Sequence, residues 1–225
     1  MFKYIYSIIL ILLVNNIQAQ FINQSIEKDK FELGYYYREF HRDLDDDIKT
    51  LESEWSGGLI IAKYGLFEWI TVTGGGWISD GTNNNFPNTK YRIIQIGAGI
   101  NSRLATYKNI NLNIASNYYE SIAINKSQEG FHKNWRSFTI SFQFGYNLEL
   151  TNMKIFPLVA PLFSYDEVLQ YNTNAFRSKE YISKSQNNIG GIVGTNINLF
   201  KYFNLSIYLV YLDYLQYQYG LGINI

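Results

Sequence analysis

From Phe138 to Glu149 the chain alternates without a break. Phe138, Ile140, Phe142, Phe144, Tyr146 and Leu148 share one parity; Thr139, Ser141, Gln143, Gly145, Asn147 and Glu149 share the other. A period of two predicts a strand, because successive strand side chains point to opposite faces. The polar set is the more informative one. It holds hydroxyls, amides and glycine, with one charge at its end. A sheet face in water normally carries Lys and Glu. Polar side chains that meet one another inside a closed wall need neither, and such a wall turns its apolar set outward.

The same period recurs along the chain. Strands are expected over Lys30–Phe40, Trp55–Tyr64, Trp69–Ser79 and Tyr91–Leu104, then from Lys108 to Ile124. Others follow over Trp135–Leu150, Met153–Val168, Asn187–Leu199, Asn204–Tyr214 and Gln216–Ile225. The count is ten, with eight as the alternative if the first two or the last two are cut wrongly. Pro157 and Pro161 lack a donor for the ladder, so distortion is expected there. The polar stretches Arg42–Glu54, Asp80–Lys90, Asn125–Asn134 and Leu169–Gln186 read as loops. They alternate with tight turns. Short turns at one end and long loops at the other are the mark of an up-and-down transmembrane barrel. The expected fold is therefore all-β, an antiparallel β-barrel with a lipid-facing outer surface.

The last strand, QYQYGLGINI, puts Tyr217, Tyr219, Leu221, Ile223 and Ile225 on one face and Gln, Gly and Asn on the other. It resembles the C-terminal targeting strand of bacterial outer-membrane barrels, with Gln218, Gly220, Ile223 and Ile225 in the signal positions. Ile225 departs from the usual Phe. The phrase KYGLFEWITVTGGG, Lys63 to Gly76, looks like the strand–turn–strand unit of small porin-like barrels of Bacteroidetes-type bacteria. That resemblance implies a fold and a compartment, the outer membrane, without implying one activity. It also implies two partners, the outer-membrane lipids with their lipopolysaccharide and the barrel-assembly machinery.

The N-terminus agrees with export. Lys3 precedes an apolar run from Ile5 to Val14, too short to span a bilayer as a helix, and Ala19 offers a cleavage position. Residues 1–19 read as a signal peptide, 20–29 as a periplasmic lead-in and 30–225 as the barrel.

Composition narrows the chemistry. The absence of cysteine excludes disulfides, lipoprotein processing and thiolate metal sites. A formal net charge of zero gives no argument for nucleic acid. Mean hydropathy is −0.16, suited to a wall with one polar face. Ten-stranded proteases of the omptin type use acidic pairs with a His; here Asp45, Asp46, Asp47 and Asp213 are present, but the only histidines are His41 and His132. The cluster Asp43–Asp47 lacks the Gly and Glu spacing of a calcium loop and reads as a solvated acidic segment. No catalytic residue, cofactor or metal is expected. Glu32, Arg103 and Glu149 fall on lumen-facing parity and form a candidate lumen charge cluster, read as an ion-pair plug in preference to a gate. The expected role is a non-enzymatic structural or accessory subunit, with another outer-membrane protein as partner. The alternative is a narrow pore, and a lipid-modifying enzyme or protease comes third.

Overall fold

The computed structural model describes residues 26–45, 50–83, 86–125, 131–172 and 179–225. The expected signal peptide and most of the lead-in lie outside them, as do Asp46 and Asp47. Twelve segments form one antiparallel sheet. They are β1 (Phe31–Asp45), β2 (Thr50–Phe67), β3 (Ile70–Asn83), β4 (Phe86–Tyr107), β5 (Ile110–Asn125) and β6 (Phe131–Tyr146), then β7 (Leu148–Leu150), β8 (Met153–Asn172), β9 (Lys179–Ser185), β10 (Ile189–Leu199), β11 (Phe203–Tyr211) and β12 (Leu215–Asn224). Asn147 separates β6 from β7, and Gln186–Asn188 separate β9 from β10. Each pair is one interrupted strand, so the wall has ten.

β12 pairs with β1, Leu33 opposite Ile223 and Tyr37 opposite Tyr219, which closes the wall and leaves no free edge at that end. Closure also fixes the tilt. Cross-strand partners lead once round the wall from Asn111 through Gly145, Leu158, Gly194, Tyr208, Gln218, Arg38, Gly57, Ser79 and Ile93. The circuit returns to Ala123, twelve residues along the starting strand. A stagger of that size in ten strands corresponds to a tilt of about 40°.

The period of two decides which side chains go inside. On β6, Phe138, Phe142, Phe144 and Tyr146 are exposed on the outer surface, while Ser137, Thr139, Ser141 and Gln143 are buried. The outer belt continues through Ile78, Ile96, Val159, Ile207 and Leu221. This is the reverse of a soluble barrel. Exposed apolar surface on that scale needs a non-aqueous neighbour.

Tight turns lie where expected. Phe200 and Lys201 both have positive φ (53° and 65°), and Tyr202 N–H donates to Leu199 C=O. The reversal takes three residues, Phe200–Tyr202, with Leu199 opposite Phe203, and its two left-handed residues match the twist of the strands. At the other end the expected loops are largely strand. β1 runs to Asp45 and β2 starts at Thr50; β3 runs to Asn83 and β4 starts at Phe86. The reason is physical. The alternation that marks the apolar belt is absent from these polar segments, while backbone pairing continues through them.

The prolines leave β8 continuous from Met153 to Asn172, and their effect falls on one neighbour. Pro157 and Pro161 keep their places opposite Thr195 and Gly191 of β10. Toward β6 the ladder skips from Ser141–Leu162 to Phe144–Val159 and ends at Gly145–Leu158. The missing N–H groups point that way.

The ten strands do not persist to the outer end. β11 and β12 stop at the short turn Leu212–Tyr214. β9 continues past it and pairs directly with β1, Leu44 opposite Ser185 and Asp45 opposite Lys184. Above the turn the wall has eight strands.

Candidate functional site: a filled lumen

The inner face near the tight turns is built round one ion pair. Glu32 of β1 and Lys63 of β2 are direct cross-strand partners on inward parity. Lys63 Nζ lies 2.6 Å from Glu32 Oε1, with both side chains almost wholly buried. Lys63 also donates to Tyr36 OH at 3.0 Å, and Tyr36 donates to Glu32 Oε1 at 3.0 Å. Asn204 of β11, two strands from β1 in the sheet, donates to Glu32 Oε2 at 2.9 Å. Both carboxylate oxygens are thus satisfied, which a buried charge requires. The layer continues on β11 and β10, where Ser206 and Tyr208 both donate to Asn196 Oδ1.

Below this layer the entering chain closes the floor. Ile26 N–H donates to the buried Thr71 Oγ1 at 2.9 Å, and Asp29, with φ of 59°, donates its N–H to Gly65 C=O. Glu27 C=O sits where a side chain on Gly65 would be, 2.0 Å from an added Cβ. The chain therefore reaches β1 across the inner face of β2 and β3.

Above the ion pair the interior is a mesh of amides and hydroxyls. Asn101 donates to Gln143, Gln143 to Ser141, and Asn117 to Thr139. Near the outer end Asp166 accepts from Trp135 Nε1 and Ser164 Oγ, each at 3.1 Å. Asp166 N–H donates to Ser185 Oγ.

Aromatic rings fill the remaining width. Tyr36 lies over Gly220 and Tyr119 over Gly97; a Cβ at either glycine would come within 2.2 Å of the ring. Tyr208 covers Gly194 in the same way. The inward glycines of β4 and β10 therefore make room for neighbouring side chains, rings at Gly97 and Gly194, the Asn117 amide at Gly99 and Leu212 at Gly190. Asn101, Asn113, Gln143, Asn196 and Gln216 have no accessible surface.

One sector differs. Phe156, Leu158, Ala160 and Leu162 of β8 form a buried apolar cluster with Ile192, Tyr208, Val210 and Leu212. Here both faces of the wall are apolar.

The three charges expected to cluster are not brought together. Glu32 is in the ion-pair layer. Arg103 is half-buried beside the lower rim, where its N–H donates to Trp69 C=O. Glu149 stands at the rim, more than half exposed, and pairs with Lys154 at 3.1 Å. Glu149 lies one residue from the turn, on a segment exposed at all three of its positions, below the filled interior. The sequence reading missed Lys63, whose inward parity with Leu59 and Ile61 against Ile60 and Tyr64 was the available signal. Of the expected targeting residues, Gln218 and Gly220 face inward and Ile223 and Ile225 outward. Among the described residues no group of acidic or imidazole side chains is placed to hold a metal ion.

No family model and no curated protein matches the chain. Solved structures share its broad outline. The translocator domain of the autotransporter NalP from Neisseria meningitidis is 10% identical, with 88% of each chain covered and a TM-score of 0.46. The transport unit of the autotransporter AIDA-I from Escherichia coli is 11% identical over 96% of this chain and 95% of its own, with a TM-score of 0.44. The outer membrane protein OprG from Pseudomonas aeruginosa is 8% identical over 91% and 99%, at 0.42. At these values the likeness gives no argument for any of their activities. The closed ten-stranded wall rests on the registers of this chain.

Proposed function

We propose that this protein resides in the outer membrane and acts as a structural or accessory subunit of a larger assembly, without enzymatic activity. One observation carries the reading: among the described residues the interior polar side chains are buried, several with no accessible surface, so the described part of the lumen has no free bore to offer a solute. What remains for recognition is the outside. The belt of Ile, Val, Phe and Tyr suits acyl chains, and its aromatic members suit a neighbouring barrel. Export through a signal peptide and insertion by the assembly machinery belong to the same proposal. Ile225 and Phe31 exchange backbone hydrogen bonds, so the C-terminal strand completes the wall and is suited to be the element an assembly machine acts on.

The test is affinity purification from native membranes in mild detergent, followed by native mass measurement. A stoichiometric complex with another membrane protein is the expected result. A lone monomer in every detergent contradicts the subunit role.

A further inference from the structure

The junction that closes the wall has no connection to set it. Every other pair of neighbours in the ten-stranded wall is consecutive along the chain, so a turn or loop limits its register. β1 and β12 come from opposite ends of the chain, and their ladder runs only from Glu32–Asn224 to Arg38–Gln218. The outward side chains do not set it either. Phe31, Leu33 and Tyr35 of β1 face outward, as do Leu221, Ile223 and Ile225 of β12. A slip of two residues keeps all of them outside, because the period of a strand is two.

What distinguishes the registers lies inside. Glu32 is opposite Asn224, but its side chain crosses Gly222, where an added Cβ would be 2.8 Å from Glu32 Oε1. Beyond the glycine Glu32 Oε2 meets the Asn204 amide, and Asn204 is itself opposite Gly222. Tyr36 lies over its own partner Gly220 and is bonded to Glu32 and Lys63. One connected group of side chains thus reaches from β2 to β11 over two glycines of β12.

Each member opposes one slip. Moving β1 two residues one way carries Glu32 about 7 Å further from Asn204, and a buried carboxylate loses a donor. Moving it two residues the other way sets the Tyr36 ring against Gln218, whose side chain is buried and inward. A buried ion pair that adds little net stability can fix register in this way.

We infer that Glu32, Lys63 and Tyr36 form a register lock for barrel closure, selecting one pairing of β1 with β12 from those the apolar pattern admits. Gly220 and Gly222 are the surface by which the first strand recognises the last. Because the closing register sets the stagger, the lock also sets the tilt of the wall.

The test uses paired cysteines, which meet no native thiol in this chain. Leu33→Cys with Ile223→Cys matches the observed pairing, and Leu33→Cys with Ile225→Cys or Leu221→Cys matches a slip of two in either direction. In the observed register the slipped pairs are diagonal neighbours about 7–8 Å apart, too far to bridge without backbone movement. Each pair is placed in the full chain, refolded in detergent, checked for heat-dependent gel mobility, oxidised and read by mass after proteolysis. With the lock intact, only the Leu33→Cys, Ile223→Cys pair should bridge. Glu32→Leu with Lys63→Met and Tyr36→Phe removes the polar contacts and keeps the ring, so bridging to position 225 should rise severalfold while bridging to position 221 stays absent. Tyr36→Ala should admit the opposite slip, to position 221. Asn204→Ala, which removes only the contact with β11, replaces the triple variant if that does not fold. Slipped bridges in the intact background overturn the inference, as do folded lock variants that bridge only in the observed register.

Discussion

Two sectors of the inner wall share one strand geometry and one period, yet they are filled by opposite chemistry. The inward faces of β3 to β6 carry Thr71, Gln95, Asn113, Asn117, Thr139 and Gln143. On β8, β10 and β11 the inward Leu158, Ala160, Ile192 and Val210 pack together, with the polar Asn196, Asn204 and Ser206 of the same strands nearer the tight turns. The first sector is held by directional bonds, so each side chain depends on its partner's position. The second is held by contact and shape, so it depends on volume. The difference teaches that a barrel interior need not be polar to be compatible with a membrane outside. It need only be satisfied, and the apolar sector is where the wall itself changes strand number.

The comparison can be broken most forcefully at the ion pair. Lys63→Met leaves the Glu32 carboxylate buried without its cation, and a loss of about 3–5 kcal/mol is expected from urea unfolding of the lipid-reconstituted protein. Adding Glu32→Gln should recover much of it. If the double variant is no more stable than the single, the pair is not the directional element described. Next comes Leu158→Ala in the apolar sector, with an expected cost of about 2–5 kcal/mol set by the cavity left behind. A null effect would mean that the sector is loosely filled. On the outer surface, Phe142→Arg should cost about 2–4 kcal/mol near the midplane and slow insertion into vesicles. Unimpaired insertion would show the lipid face to be wrongly assigned.

Smaller effects sharpen the contrast. Gln143→Leu keeps volume but removes the acceptor for Asn101 Nδ2, and about 1–3 kcal/mol is expected. The polar sector should therefore resist a swap that the apolar sector would welcome. Glu149→Gln at the rim should change stability by about 0–1 kcal/mol, since its pair with Lys154 is exposed to water. A large loss there would restore Glu149 to the interior charge layer.

The belt half of the molecule was legible in the sequence because two solvents meet there across one sheet. Phe138 to Leu148 alternate because acyl chains lie on one side and amides on the other. The outer half was not legible. Arg42 to Glu54 and Asp80 to Lys90 read as loops because they are polar and carry no alternation, while strand pairing itself needs none. Lys63 was hidden for a different reason. A charge within an alternating strand becomes interpretable only once the register sets Glu32 opposite it. The change from ten strands to eight was hidden too, since nothing around Gln186–Asn188 announces that β9 pairs with β1.

Single-channel recording of the purified, folded protein in planar bilayers tests whether the lumen is filled. A filled lumen gives no unitary conductance at neutral pH and moderate voltage. Reproducible steps of uniform size from the unmodified protein would contradict it.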